Sequence, residues 1–239
     1  YSKFTRSEFH GEAVIIGISR DITARVEAEN RLNETLCLLR KTLGGAIQSI
    51  AESVEVRDPY TAGHQLRVAN LGRAIATKMG LPQEMIEGIR IAGRIHDIGK
   101  IAIPAEILSK STVLMDIEYE FIKRHPNVGF QILSAIEFPW PVAAMVYQHH
   151  ERIDGTGYPL GLEGDMMLME SRVLAVADVV EAMATHRPYR PSLGLQPALE
   201  EITKNSGIKY DRDVVRACLA VINEDGFNLY DETYRWRPF

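Results

Sequence analysis

From Asp21 to Val54 apolar residues recur at steps of three and four: Leu32, Leu36, Leu39, Leu43, Ala46 or Ile47, Ile50 and Val54. That spacing predicts a long amphipathic helix with an a/d seam, suited equally to a parallel dimeric coiled coil and to packing on the chain's own domain. Gly44-Gly45 falls within the run, and each glycine costs ~1 kcal/mol relative to alanine in a helix. The pair therefore predicts an interruption, a flexible point between a stalk and a catalytic domain. Beyond it the helical period predicts helices over 64–79, closed by Gly80 with Pro82 just after, then over 84–96, 116–124, 128–136, 141–150, 170–185, 196–205 and 211–223. Upstream, Ala13-Val14-Ile15-Ile16-Gly17-Ile18 reads as a single strand ending near residue 20. No other alternating pattern competes. The expectation is an all-α bundle with an N-terminal helical stalk and a short β segment at the start.

Composition changes this picture little. The chain has 239 residues, 46% hydrophobic and 25% charged, as expected of one main core plus an appendage. No apolar run approaches the ~20 residues of a membrane span. The N-terminus lacks the charged start and apolar core of a signal peptide, so a soluble, cytoplasmic protein is expected. Cys37 and Cys218 form no CxxC spacing and read as reduced thiols rather than ligands. A net charge of −5 gives no basic footprint for a nucleic-acid polymer.

The chemistry lies in the histidines. Of seven, five stand with other polar residues: His64, His96 beside Asp97, His125, and the doublet His149-His150; Asp178 follows later. A lone histidine on an apolar helix is usually a packed or surface residue, but two apolar helices here end in adjacent polar pairs, in RIAGRIHDIGK and PVAAMVYQHHE. Burying a histidine–carboxylate pair costs several kcal/mol unless something compensates. A divalent cation would compensate, since imidazole and carboxylate suit iron, manganese, nickel, cobalt or zinc. A carboxylate beside a histidine can bridge two ions ~3.5–4 Å apart, as in two-metal hydrolytic sites. Hydrolysis of a phosphate ester is the expected chemistry.

HDIGK at 96–100 together with HHERIDGTGYP at 149–159 resembles the HD-GYP family, a branch of the HD-domain phosphohydrolases, over roughly residues 43–226. GISRDITARVEAENRL similarly resembles the last strand of a PAS sensory domain and its signalling helix. The resemblances imply a PAS remnant at 1–20, a signalling helix at 21–43, a catalytic domain at 44–226 and a tail at 227–239. They imply a cyclic di-GMP phosphodiesterase using two divalent ions, iron or manganese first, controlled by an upstream sensor. Its partners would be signalling proteins and, through the N-terminal helix, a second copy of the chain.

Carried over by motif, the ligands are His64, His96, Asp97, His125, His149, His150 and Asp178, with Asp97 bridging His64, His96 and Asp178 on one side to His125, His149 and His150 on the other. Some members hold a third iron with a glutamate four residues before the first histidine; Tyr60 stands there, so two ions are expected. A hydroxide shared by the ions would attack phosphorus in line with the departing ribose oxygen, giving pGpG and then GMP. Lys100, just past the 84–96 helix, would touch a phosphate oxygen. Tyr158 would meet the nucleotide on a loop that Gly157 lets approach closely, and Arg187 and Arg190 would grip phosphate. His186 and His10 have no matching role. Two alternatives stay open: a relay that binds a cyclic dinucleotide or a protein without turnover, and a hydrolase of another cyclic dinucleotide such as cyclic GMP-AMP.

Overall fold

The computed structural model describes residues 2–58, 63–110, 112–185 and 192–231, in two compact units divided after Gly45. In the first unit β1 (Ser2–Phe9) pairs antiparallel with β2 (Glu12–Ser19), Arg6 opposite Ile15 and Phe9 opposite Glu12. This corrects the expected single strand. Ser2–Phe9 is too polar to announce itself, and its extended form comes from pairing with β2 across the His10-Gly11 turn, where φ is 51° and 82°.

Helix α1 (Thr23–Arg57) runs unbroken through Gly44-Gly45, a second correction. Two glycines cost about 2 kcal/mol in a helix interior, and tertiary packing outweighs that: in the second unit Ile47, Ala51 and Val54 are buried in the core. In the first unit Leu32, Leu36, Leu39 and Leu43 lie on the surface, 59%, 41%, 63% and 42% exposed. The apolar stripe thus separates into a stretch used by the core and one left at the surface.

The second unit continues with α2 (His64–Lys78), α3 (Gln83–Ile95), a 3-10 turn (Ile98–Ala102), α4 (Ala105–Leu108), α5 (Asp116–Ile122) and α6 (His125–Leu133). It ends with α7 (Val142–Gln148), a 3-10 turn (Gly164–Met166), α8 (Met169–Ala184), α9 (Leu195–Lys204) and α10 (Arg212–Asn223). The eight helices expected beyond the stalk are present; α4 and the 3-10 turns are too short to show a helical period. Helix α8 carries the centre of the core, with Val173, Leu174, Val176, Ala177 and Val180 fully buried against α2, α3, α7, α9 and α10. Such a helix, apolar on most sides, belongs in the interior. The 3-10 turn after α3 rests directly on α6: a Cβ on Gly99 would fall 1.9 Å from the His125 carbonyl oxygen. Only glycine permits that approach, which brings the end of α3 against the start of α6.

Candidate metal centre

Six of the seven predicted ligands sit at helix ends. His64 opens α2 and His125 opens α6; His96 caps α3 and is followed by Asp97; His149 caps α7 and is followed by His150. Asp178 projects from the middle of α8. Helix ends are where an apolar segment can finish in a polar side chain without breaking its own core face. All are buried except His150, which is partly so.

Their hydrogen bonds fix which ring nitrogens face inward. His96, His125 and His149 direct Nδ1 to the carbonyls of Gly93, Ile122 and Val146, at 2.9, 2.7 and 2.6 Å. A carbonyl only accepts, so Nδ1 carries the proton and Nε2 presents a bare lone pair. His64 directs Nδ1 to the Glu181 carboxylate and has the same tautomer. The bare Nε2 atoms of His64 and His96 then face each other at 3.3 Å, and those of His125 and His149 at 3.2 Å. Two buried lone pairs at that distance repel. A cation removes the conflict twice over. With metal–nitrogen bonds of about 2.0–2.1 Å, ligand atoms around one ion stand about 3.0–3.4 Å apart, matching these contacts and the 3.3 Å from His64 Nε2 to Asp178 Oδ1.

Among the described residues two half-sites emerge, His64–His96–Asp178 and His125–His149–His150, and a third group, His96–Asp97–His149, overlaps both; the ligand atoms of each lie within 4.8 Å of one another. Asp97 reaches both. Its Oδ2 is 3.7 Å from His64 Nε2 and from His96 Nε2, while its Oδ1 is 3.4 Å from His125 Nε2. The donor set fits a pair of divalent cations, with no thiolate to demand a softer metal.

Burial disfavours the charged form of His96, His125, His149 and His150, the condition a metal ligand needs. Burial, with Lys100 and His96 nearby, brings His125 down to about 4 against the pull of Asp97. Burial and neighbouring histidines hold His149 and His150 well below the usual range, and burial lowers His96. For Asp97 burial acts upward but is outweighed by Lys100, His96, His125 and His64, leaving the carboxyl well below its ordinary value; histidines do the same for Asp178.

Lys100 lies in the 3-10 turn, Nζ 2.9 Å from Asp97 Oδ2 and 3.2 Å from Asp58 Oδ2. It is not a solvated lysine. Tyr158 stacks on His150, ring centroids 4.7 Å apart, and burial raises its phenol. Gly157 is where its loop crosses the chain after the doublet: a Cβ there would lie 2.4 Å from Glu151 Cα. Arg187, Arg190, His186 and Tyr60 lie outside the described residues.

Three acidic residues escaped the sequence reading. Glu151, fully buried, accepts from the amides of Leu160 and Leu162 at 2.6 and 2.9 Å and so ties down the loop bearing Tyr158. Glu181, also fully buried, holds His64. Asp58 holds Lys100, while the neighbouring Arg57 donates to the Ile101 and Ile103 carbonyls. Only Glu181 carried a sequence signal, one helical turn after Asp178 and thus on its face.

The family description HD domain matches residues 48–214. The chain belongs to the HD-domain family. Among HD-domain relatives, the cyclic di-GMP phosphodiesterase response regulator RpfG of Xanthomonas campestris pv. campestris is 36% identical over 195 residues, 81% of this chain and 49% of that protein. A cyclic di-GMP phosphodiesterase of Thermotoga maritima is 40% identical over 172 residues, 71% of this chain and 47% of the relative. The chain spans about half the length of these curated relatives. The solved cyclic GMP-AMP specific phosphodiesterase V-cGAP3 of V. cholerae superimposes with a TM-score of 0.61 at 16% identity, over 79% of this chain and 51% of the other, a likeness of fold.

Proposed function

We propose that this HD-domain chain is a metal-dependent phosphodiesterase that hydrolyses cyclic di-GMP to pGpG or GMP. The observation that carries the reading is the pair of facing Nε2 contacts, joined through Asp97, in a pocket of buried histidines. His64, His96 and Asp178 would hold one ion, His125, His149 and His150 the other, and Asp97 both, with iron or manganese favoured. When bound, the ions supply the charge that acidifies a water and polarises phosphoryl oxygens. Asp97 would place negative charge between two positive centres and so lower their mutual repulsion.

Lys100, freed from one of its two carboxylates, would donate to a phosphoryl oxygen. Tyr158, braced by His150 and by the Glu151-anchored loop, would orient the nucleotide, with Gly157 allowing the loop its close path. Arg187 and Arg190 are proposed to grip phosphate. The substrate assignment draws on relatives named for cyclic di-GMP. The direct test is anaerobic purification, elemental analysis and chromatography of products from cyclic di-GMP and cyclic GMP-AMP. Two equivalents of metal with pGpG or GMP released from cyclic di-GMP is expected. Bound metal without products would indicate a binding relay, and turnover of cyclic GMP-AMP alone would reassign the substrate.

The same reading places the catalytic domain at 44–226 in the cytoplasm, below a sensory module of which 1–20 is a PAS remnant and 21–43 the connecting helix, with 227–239 a tail. No described helix is long and apolar enough to cross a membrane. The surface leucines 32, 36, 39 and 43 keep the alternating four- and three-residue steps of a parallel coiled coil, so a second copy is the proposed partner. Light scattering should report a dimer that Leu36→Glu with Leu39→Glu converts to monomer; a wild-type monomer at micromolar concentration would refute it.

A further inference from the structure

We infer that Glu181 is a positioning residue that makes the His64–His96–Asp178 half-site the tighter of the two and the first to fill. The inference rests on the metal-binding part of the proposed function and not on the substrate. Three ligand rings, His96, His125 and His149, are oriented in one way, each Nδ1–H on the neutral carbonyl three residues back in its own chain segment. His64, the first residue of α2, is held in another way. A carboxylate takes that place: Glu181 Oε2 accepts from His64 Nδ1, while Glu181 Oε1 accepts from Arg67 Nε at 2.7 Å.

Glu181 has no exposed surface, and it stands one helical turn beyond Asp178 on α8. A single helix therefore delivers a ligand and the group that orients another ligand of the same half-site. A buried carboxylate is costly without a partner. Arg67, on the turn of α2 that also carries His64, sets its guanidinium against that carboxylate at 2.7 Å. An anionic acceptor on Nδ1 fixes the tautomer more firmly than a carbonyl does and increases electron density at Nε2, raising ligand strength. The opposite half-site, with its His125 and His149 rings held by carbonyls, has no equivalent among these contacts. The two half-sites are thus unequal although each offers three side chains of its own beside the shared Asp97.

The test is anaerobic titration of metal-free wild type and Glu181→Gln with Mn(II) alone, followed by calorimetry. Wild type should bind in two separable steps. In Glu181→Gln the tighter step should weaken by about 10–100-fold, the range found for groups that orient metal ligands, while the weaker step stays within about 3-fold. Equal weakening of both steps, no weakening of either, or a single indistinguishable step in wild type would overturn the inference. A second measurement needs no variant. In 15N spectra of the metal-free wild type, His64 should be protonated at Nδ1, with a proton signal further downfield than those of His96, His125 and His149; a His64 protonated at Nε2 would overturn it as well. Two-step Mn(II) binding without hydrolysis of any cyclic dinucleotide would sink the proposed substrate and leave Glu181 its role. An active enzyme with unaltered binding in Glu181→Gln would do the reverse.

Discussion

Asp97→Ala should lose both ions together and, with them, at least about 10³-fold in kcat, because the bridging carboxylate belongs to each half-site and the ions supply most of the chemistry. Removing a ligand of one half-site, as in His149→Ala, should spare part of the metal content; removing Asp97 should not. Without Asp97 the two cation positions would face each other with no charge between them, and Lys100 would retain Asp58 but lose its 2.9 Å partner. The helices do not depend on that carboxylate for their packing, so far-ultraviolet dichroism should change little. Elemental analysis beside turnover reads the outcome. Two retained ions with activity within tenfold of wild type would refute the bridging role.

The second large effect is on the stability of the metal-free protein with pH. An unfolded histidine titrates near 6.5, whereas His125 in the fold titrates at about 4, with burial the main cause. Between those values the unfolded chain binds the extra proton, so stability is full above about pH 6.5 and is lost as pH falls toward 4. His125 alone accounts for about 3 kcal/mol at 1.36 kcal/mol per unit. His96, His149 and His150 are lowered in the same direction by burial, and Asp97 and Asp178, lowered by their charged neighbours, extend the loss below about pH 4. Urea midpoints of the apo-protein should therefore fall steeply from pH 7 to 5. Bound metal should displace the fall to lower pH until the ligands protonate. A flat profile over that interval would mean that the histidines are not held neutral by burial.

The convergence of these histidines and aspartates was legible in the sequence because the chemistry proposed for them is written in residue type and position. His96-Asp97 and His149-His150 end apolar helices, where packing gives no reason for such pairs. Helix periods were equally legible, since α2, α9 and α10 each bury one face. What failed to show was whatever depends on a partner distant in sequence. Strand β1 is extended because β2 lies beside it. Gly44-Gly45 is helical because neighbouring turns are held, Ile47, Ala51 and Val54 being packed in the core. Glu151, Glu181 and Asp58 look like ordinary surface acids until the fold buries them against a loop, a histidine and a lysine. Acidic residues carry no sequence mark that separates a solvated helix face from a buried acceptor, except where, as with Glu181, they share a helical face with a ligand.

Seven side chains, from separate helix ends and from the middle of α8, are proposed to hold two cations. Anomalous diffraction from a manganese-loaded crystal tests this most directly. Two peaks should appear about 3.5–4 Å apart, one among His64, His96 and Asp178, the other among His125, His149 and His150, with the Asp97 carboxylate between them. A single peak outside these residues, or none at full manganese occupancy in solution, would contradict the account.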